Sequence, residues 1–253
     1  MKYYSELLAM GCFTREDLTE LTGNYNTAGS LLVSYLKRGY IRGIRRNLYA
    51  AINLADNAPV VSKYRIARHI TPTAYVSHHA AFEYYGSYNQ VSYQVEVSSE
   101  TPFRPFEFDW IRYVYIASRI REGVAEHSNG IRVTDPERTV LDGINDLEKV
   151  IGLEELLKCI ELMPMLKEDK LLEYLAVYNK QVLYQKTGYI LEHFQKGFRL
   201  SDTFFNECVS HIGKSTRYFT LNRRGVYDNK WKMIVPENLL AILMKGMDED
   251  AEG

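Results

Sequence analysis

The segment Tyr35–Ala50, YLKRGYIRGIRRNLYA, carries five basic residues (Lys37, Arg38, Arg42, Arg45 and Arg46) and no acid. The order of residue types limits what it can form. A helical pattern closes on Leu36 and Lys37, and Gly39 offers the left-handed residue that ends a helix. Two short runs of apolar and basic residues follow, one on each side of Gly43, as in a hairpin. A helix that runs into a small basic hairpin is the pattern of a winged helix-turn-helix. In that motif the helix enters the DNA major groove, and hairpin cations hold phosphates or the minor groove.

The residues before this segment supply the rest of such a unit. Tyr4, Leu7 and Leu8 fall at helical spacing, and Gly11 stops the turn. Thr14 is a good N-cap, with Glu16 and Asp17 in the first turn where the helix dipole favours acids. Leu18 and Leu21 face inward, and Gly23 closes this second helix. Asn24-Tyr25-Asn26 reads as a turn. Asn26 or Thr27 then caps a third helix, whose apolar face is Leu31, Leu32, Tyr35 and Leu36. The outer face carries Asn26, Thr27, Ser30, Ser34 and Lys37, small polar side chains suited to base edges. Tyr40–Arg42 and Asn47–Ala51 are the wing strands, with a turn near Gly43. Lys37, Arg38, Arg42, Arg45 and Arg46 supply charge, so affinity for DNA is expected to fall with salt. The alternative is a winged helix that docks a protein and leaves its charges solvated.

Charge balance restricts where DNA can bind. The 253-residue chain has a net charge of −1, but residues 1–60 carry a net +2 and the remainder −3. Any nucleic-acid site is therefore a local patch. The cysteines, Cys12, Cys159 and Cys208, are scattered and odd in number, which fits a reducing compartment without a disulfide framework. No apolar run approaches the ~20 residues that span a bilayer, and MKYYSELLAMG lacks a signal-peptide core. A cytoplasmic protein without membrane contact is expected.

The length allows two domains. The turn-rich Asn53–Ser62 marks a boundary, giving a winged helix-turn-helix over 1–55 and a second domain over 56–253. In the second, Thr73–Tyr85 reads as a helix, and Val91–Ser98, Trp110–Ile116 and Gly130–Thr134 as strands. Asp135-Pro136-Glu137 opens a helix with a cap, an N1 proline and a dipole-matched acid. Leu153–Leu162, Lys167–Tyr178, Val182–Phe194 and Ser201–His211 are amphipathic helices, and Tyr218–Leu221 and Lys232–Val235 are late strands. The whole is an α+β fold.

Reactive chemistry is sparse. His79 and Glu83 lie at i, i+4, beside His78, but no third metal ligand is evident, so no metal site is expected. Arg138 and Asp142, also i, i+4, read as a surface or inter-element salt bridge. Gly86-Ser87 is followed by a strand with one carboxylate, Glu96, where a two-metal transferase site needs a pair. Glu168-Asp169-Lys170 lacks a preceding strand acid, and no phosphate-binding glycine loop occurs. No enzymatic activity and no cofactor are expected. A second basic stretch, Lys214, Arg217, Arg223, Arg224, Lys230 and Lys232, interleaves with Tyr218, Phe219, Tyr227 and Trp231. That composition suits a nucleic-acid surface, because aromatics stack bases and cations hold phosphates. The preferred reading is a solvated hairpin whose aromatics pack inward.

Three stretches resemble the AbiEi family of antitoxins from type IV toxin–antitoxin and phage-abortive-infection loci. They are RRNLYAAI (Arg45–Ile52), AYVSHHAAFEYYG (Ala74–Gly86) and IRVTDPERTVLDGIN (Ile131–Asn145), with KTGYILEHF (Lys186–Phe194) also similar. The resemblance covers most of the chain, to about residue 200. It implies a winged-helix repressor that binds inverted repeats in its own promoter. It also implies an α+β antitoxin domain that counteracts a nucleotidyltransferase-like toxin without a stable complex. Such families also include stand-alone regulators. No heptad is visible, so a monomer in solution with two copies on an inverted repeat is expected.

Overall fold

A computed structural model of the chain describes residues 2–88, 90–127, 130–147, 152–221, 224–237 and 239. The fold is mixed α+β and divides into two compact units. One comprises Met1–Val76, Ser92–Ser118 and Glu126–Arg132; the other comprises Ser77–Val91, Arg119–Ala125 and Val133–Gly253.

The first unit opens with α1 (Tyr4–Met10), β1 (Cys12–Phe13), α2 (Arg15–Thr22), α3 (Tyr25–Lys37), β2 (Ile41–Arg45) and β3 (Leu48–Asn53). Its helix starts follow from local hydrogen bonding. The Thr14 side chain accepts from the Asp17 N–H, and the Asp17 carboxylate accepts from the Thr14 N–H at 2.7 Å, a reciprocal capping box. Gly23 takes the left-handed conformation (φ 72°) that ends α2. The chain is extended again at Asn24, whose side chain accepts from the N–H groups of Asn26 and Thr27 at 2.9 and 3.0 Å. The cap of α3 is therefore Asn24, and not the expected Asn26 or Thr27. Asn24→Ala should lower the thermal midpoint, at a cost of about 1 kcal/mol.

β1 and β2 both pair antiparallel with β3, in the order β1-β3-β2. The hairpin turn lies at Arg46–Asn47, between the paired Arg45 and Leu48, whereas Gly43 lies inside β2 at a register shift. The expected turn near Gly43 is thus displaced by three residues. Asn47 explains why. It adopts a left-handed φ of 57°, which asparagine tolerates. Its side chain accepts from the Arg15 N–H at 3.1 Å and donates to the Glu16 carboxylate at 2.6 Å, tying the hairpin end to the start of α2. Leu7, Phe13, Leu18, Ala28, Leu32, Tyr35, Ile41 and Ala51 form one apolar cluster behind these elements.

The same unit continues with β4 (Ala58–Pro59), α4 (Lys63–Arg68), β5 (Tyr75–Val76), β6 (Gln94–Ser99), β7 (Phe106–Phe108) and β8 (Ile111–Ala117). β6 and β8 run parallel, while β5 and β7 pair antiparallel with β6 and β8. The helix expected from Thr73 begins only at His78. Tyr75 and Val76 instead pair with Ser98 and Val97, as an aromatic and a β-branched residue favour.

The second unit contains α5 (His78–Tyr84), α6 (Pro136–Asn145), α7 (Leu153–Glu161), α8 (Glu168–Tyr178), α9 (Gln181–His193), α10 (Gln195–Phe198) and α11 (Asp202–Ser210). The strands β9 (Val124–Glu126) and β10 (Arg132–Thr134) lie where the chain passes from one unit to the other. A small sheet of β11 (Arg217–Tyr218), β12 (Val226–Asp228) and β13 (Met233–Val235) follows, in the order β11-β13-β12. The fully buried Trp231 anchors it. Its indole N–H donates to Glu192 at 2.9 Å, and the Gln185 amide donates to its carbonyl at 2.7 Å. Gly188 in α9 leaves room for the ring, since a Cβ there would stand 2.0 Å from it. Gly188→Ala should therefore cost at least about 1–3 kcal/mol through overpacking, read as a lowered urea midpoint.

Candidate nucleic-acid interface

The inward side of α3 is set by Ala28, Leu32 and Tyr35, at i, i+4 and i+7. The opposite stripe is Asn26, Ser30, Val33 and Lys37, at spacings of four, three and four, so these side chains form one row along the helix. All four are exposed. Thr27 is exposed beside the row, and Ser34 is half-buried at its edge. Two apolar residues of α3 are exposed. Leu36, expected inward, is 41% exposed, because the buried stripe centres on Ala28, Leu32 and Tyr35 and leaves Leu36 at its edge; Val33 is 69% exposed. An aliphatic residue in a short helix reads as core, so the sequence carries no signal of the exposure of Val33.

The cations separate into two groups. Lys37, Arg38 and Arg46 are exposed, and none forms an ion pair among the described residues. Arg42 and Arg45 are half-buried within the first unit. Arg42 pairs with Asp109 at 3.1 Å, donates to the Asn57 carbonyl at 2.8 Å and lies 5.8 Å from the Phe108 ring centre. Arg45 lies over Phe103 and Phe106, 5.7 and 5.5 Å from the ring centres. A further cation, Arg15, opens α2 and stacks on the Tyr25 ring at 3.7 Å. The absence of a side chain at Gly29 makes room for it, since a Cβ there would meet the guanidinium at 2.6 Å. Arg15 sits among acids in the sequence, which hid its place beside α3.

The second basic stretch is mixed in character. Phe219 and Trp231 are fully buried, while Tyr218 and Tyr227 are exposed. Lys230 is ion-paired with Glu192, and Lys232 is half-buried with a left-handed backbone. Lys214, Arg217 and Arg224 are exposed without ion pairs among the described residues; Arg223 lies outside them.

The segment Asp135–Asp146 forms a buried polar joint. Asp135 caps α6 and also accepts from Lys170 and the Tyr174 hydroxyl, each at 2.7 Å. The Arg138 guanidinium is buried; it donates to Asp142 at 2.8 Å and to the carbonyls of Ile120 and Glu122 at 3.1 and 2.6 Å. Burial and the adjacent Asp142 push the Tyr178 phenol upward, so its hydroxyl stays protonated and donates to Asp142. The Arg138–Asp142 salt bridge is present, but it lies within α6 and is buried inside the unit, not at the surface.

His79 does not gather with Glu83. It lies 3.6 Å from Glu155, whose carboxylate also accepts from the Cys159 thiol at 3.6 Å. The three donor atoms lie within 4.8 Å of one another, a set that divalent metals accept. Each is already engaged by a neighbour, so the group completes its own hydrogen bonding. Ser77, His78 and Asp146 form a chain of contacts at 2.9 and 3.6 Å, but Ser77 is fully buried, out of a substrate's reach. Burial raises the Cys12 and Cys208 thiols to about 11 and about 12, which keeps them protonated and unreactive. Among the described residues, no helix is long and apolar enough to cross a membrane.

The architecture is that of a mixed α+β chain whose first unit presents a mostly polar face of α3 that ends on Lys37 and Arg38, both without ion pairs among the described residues. No protein-family model and no curated protein matches it. Among solved structures, it is similar to the crystal structure of RV2827C protein from Mycobacterium tuberculosis. The two share a TM-score of 0.65 at 14% identity, over 98% of this chain and 94% of that one. At that identity the likeness is one of fold.

Proposed function

We propose that the first unit carries a winged helix-turn-helix that binds duplex DNA through α3, and that the chain is a transcriptional autorepressor and antitoxin of the AbiEi kind. The observation that carries the DNA reading is the exposed row Asn26-Ser30-Val33-Lys37 on α3, followed by exposed Arg38 at the helix end and exposed Arg46 at the β2–β3 turn, cations without ion pairs among the described residues. Two short helices meeting at Gly23-Asn24, with a β1-β3-β2 sheet behind them, support α3 as the reading helix. Asn26 and Ser30 suit base edges, Val33 suits a thymine methyl group, and Lys37, Arg38 and Arg46 suit phosphates. The protein is a monomer in solution, places two copies on an inverted repeat and has no catalytic activity.

The antitoxin reading rests on the resemblance of Ala74–Gly86 and Ile131–Asn145 to that family. In it, the second unit counteracts a nucleotidyltransferase-like toxin without a stable complex. Docking of a protein on α3 is the rival, favoured by the exposure of Tyr25, Val33 and Leu36. A gel-shift titration on the DNA directly upstream of the gene, at two salt concentrations and against random DNA, separates them. DNA binding weakens steeply with salt; no preference over random DNA would move α3 to protein contact.

A further inference from the structure

We infer that the β7–β8 hairpin is a second DNA-contacting element, with Trp110 seated against the duplex. The inference rests on the DNA reading above and adds a residue and a hairpin to it.

Phe108 pairs with Ile111, so Asp109 and Trp110 form a two-residue turn. Both are left-handed, with φ of 51° and 67°. This is the backbone of a tight hairpin turn that favours asparagine and glycine. A bulky aromatic is costly there and persists only when its surroundings enforce the geometry. The indole is also 89% exposed, so packing within the protein does not explain its presence.

The rest of the hairpin is fixed to β2. Asp109 holds Arg42, whose guanidinium lies over Phe108, while Phe103 and Phe106 surround Arg45. The two arginines of β2 therefore hold this hairpin, and the β2–β3 turn is tied back to α2 through Asn47. Trp110 is left at a free tip. Arg104 and Arg112 are exposed on the same segment without ion pairs among the described residues; Glu107 faces Arg112 across the register and moderates the charge. An indole offers a flat apolar face and one N–H donor. Those features match a phosphate oxygen or the acceptors on the minor-groove floor, where apolar side chains also wedge between base steps.

The chain's two tryptophans make the test direct, because Trp231 is fully buried and acrylamide reaches only Trp110. The full-length protein is saturated with the upstream duplex, binding being followed by anisotropy of labelled DNA. Acrylamide quenching of the protein should fall severalfold on binding. Trp110→Gly, which suits this backbone and removes the indole, should weaken binding about tenfold; Trp110→Phe should retain most of it. Tight DNA binding with Trp110 as quenchable as in the free protein would overturn the inference while sparing the DNA reading, and would assign the indole to a protein partner. A wild-type chain that binds no DNA would overturn both.

Discussion

Arg138→Met is expected to destabilise the second unit by about 3–5 kcal/mol, the largest loss foreseen for any conservative-volume change in this chain. The reason lies in what remains behind. Asp142 is buried and would lose the guanidinium 2.8 Å away. The Ile120 and Glu122 carbonyls would each lose a donor at the same time. An orphaned buried charge costs far more than the pair contributes when intact, because desolvation of the ion is no longer offset. Tyr178 still donates to Asp142 but supplies no positive charge.

The double variant Arg138→Met/Asp142→Leu should therefore lose less than the sum of its single changes. Urea unfolding of all four proteins, followed by far-UV circular dichroism, measures this coupling. Additive losses would mean that the Arg138–Asp142 contact is dispensable and that only packing is being read. The segment also shows why a sequence resemblance is not by itself a functional site. Its polar residues face one another inside the unit.

What the sequence made legible was local chemistry. Thr14 and Asp135 were readable as caps because a cap is decided within four residues. Gly23 and Gly39 were readable as helix ends for the same reason, and both take positive φ. The start of α3 was harder, since Asn24 and Asn26 are equally good caps and the choice depends on where Gly23 releases the chain. β7 was missed because it has three residues, directly after Pro105. The least legible features depend on distant partners. Nothing near Arg42 or Arg45 in sequence reveals that Asp109, Phe103 and Phe106 engage them, so all the hairpin arginines looked equally free. Trp110 read as the start of a strand, and its exposure at a turn tip became apparent only from the pairing of Phe108 with Ile111.

That division among the arginines sets the second large effect. Lys37→Glu/Arg46→Glu is expected to lower affinity for upstream DNA by roughly a hundredfold or more. Each lost phosphate contact should flatten the logarithmic salt slope by about one. Both side chains are exposed and unpaired among the described residues, so folding stability should change little. Arg45→Met should behave in the opposite way, loosening the seat of Phe103 and Phe106 and lowering stability more than the salt slope. Asn26→Ala and Val33→Ala should lower affinity less, but should erode discrimination among base pairs by about 1–3 kcal/mol where a base contact is lost. A protein-docking α3 predicts another ranking, with Val33→Asp most harmful and little dependence on salt. Anisotropy titrations of these variants at two salt concentrations, on upstream and random duplexes, distinguish the two. An Arg46 reversal that leaves the salt slope untouched would remove the hairpin tip from the DNA interface.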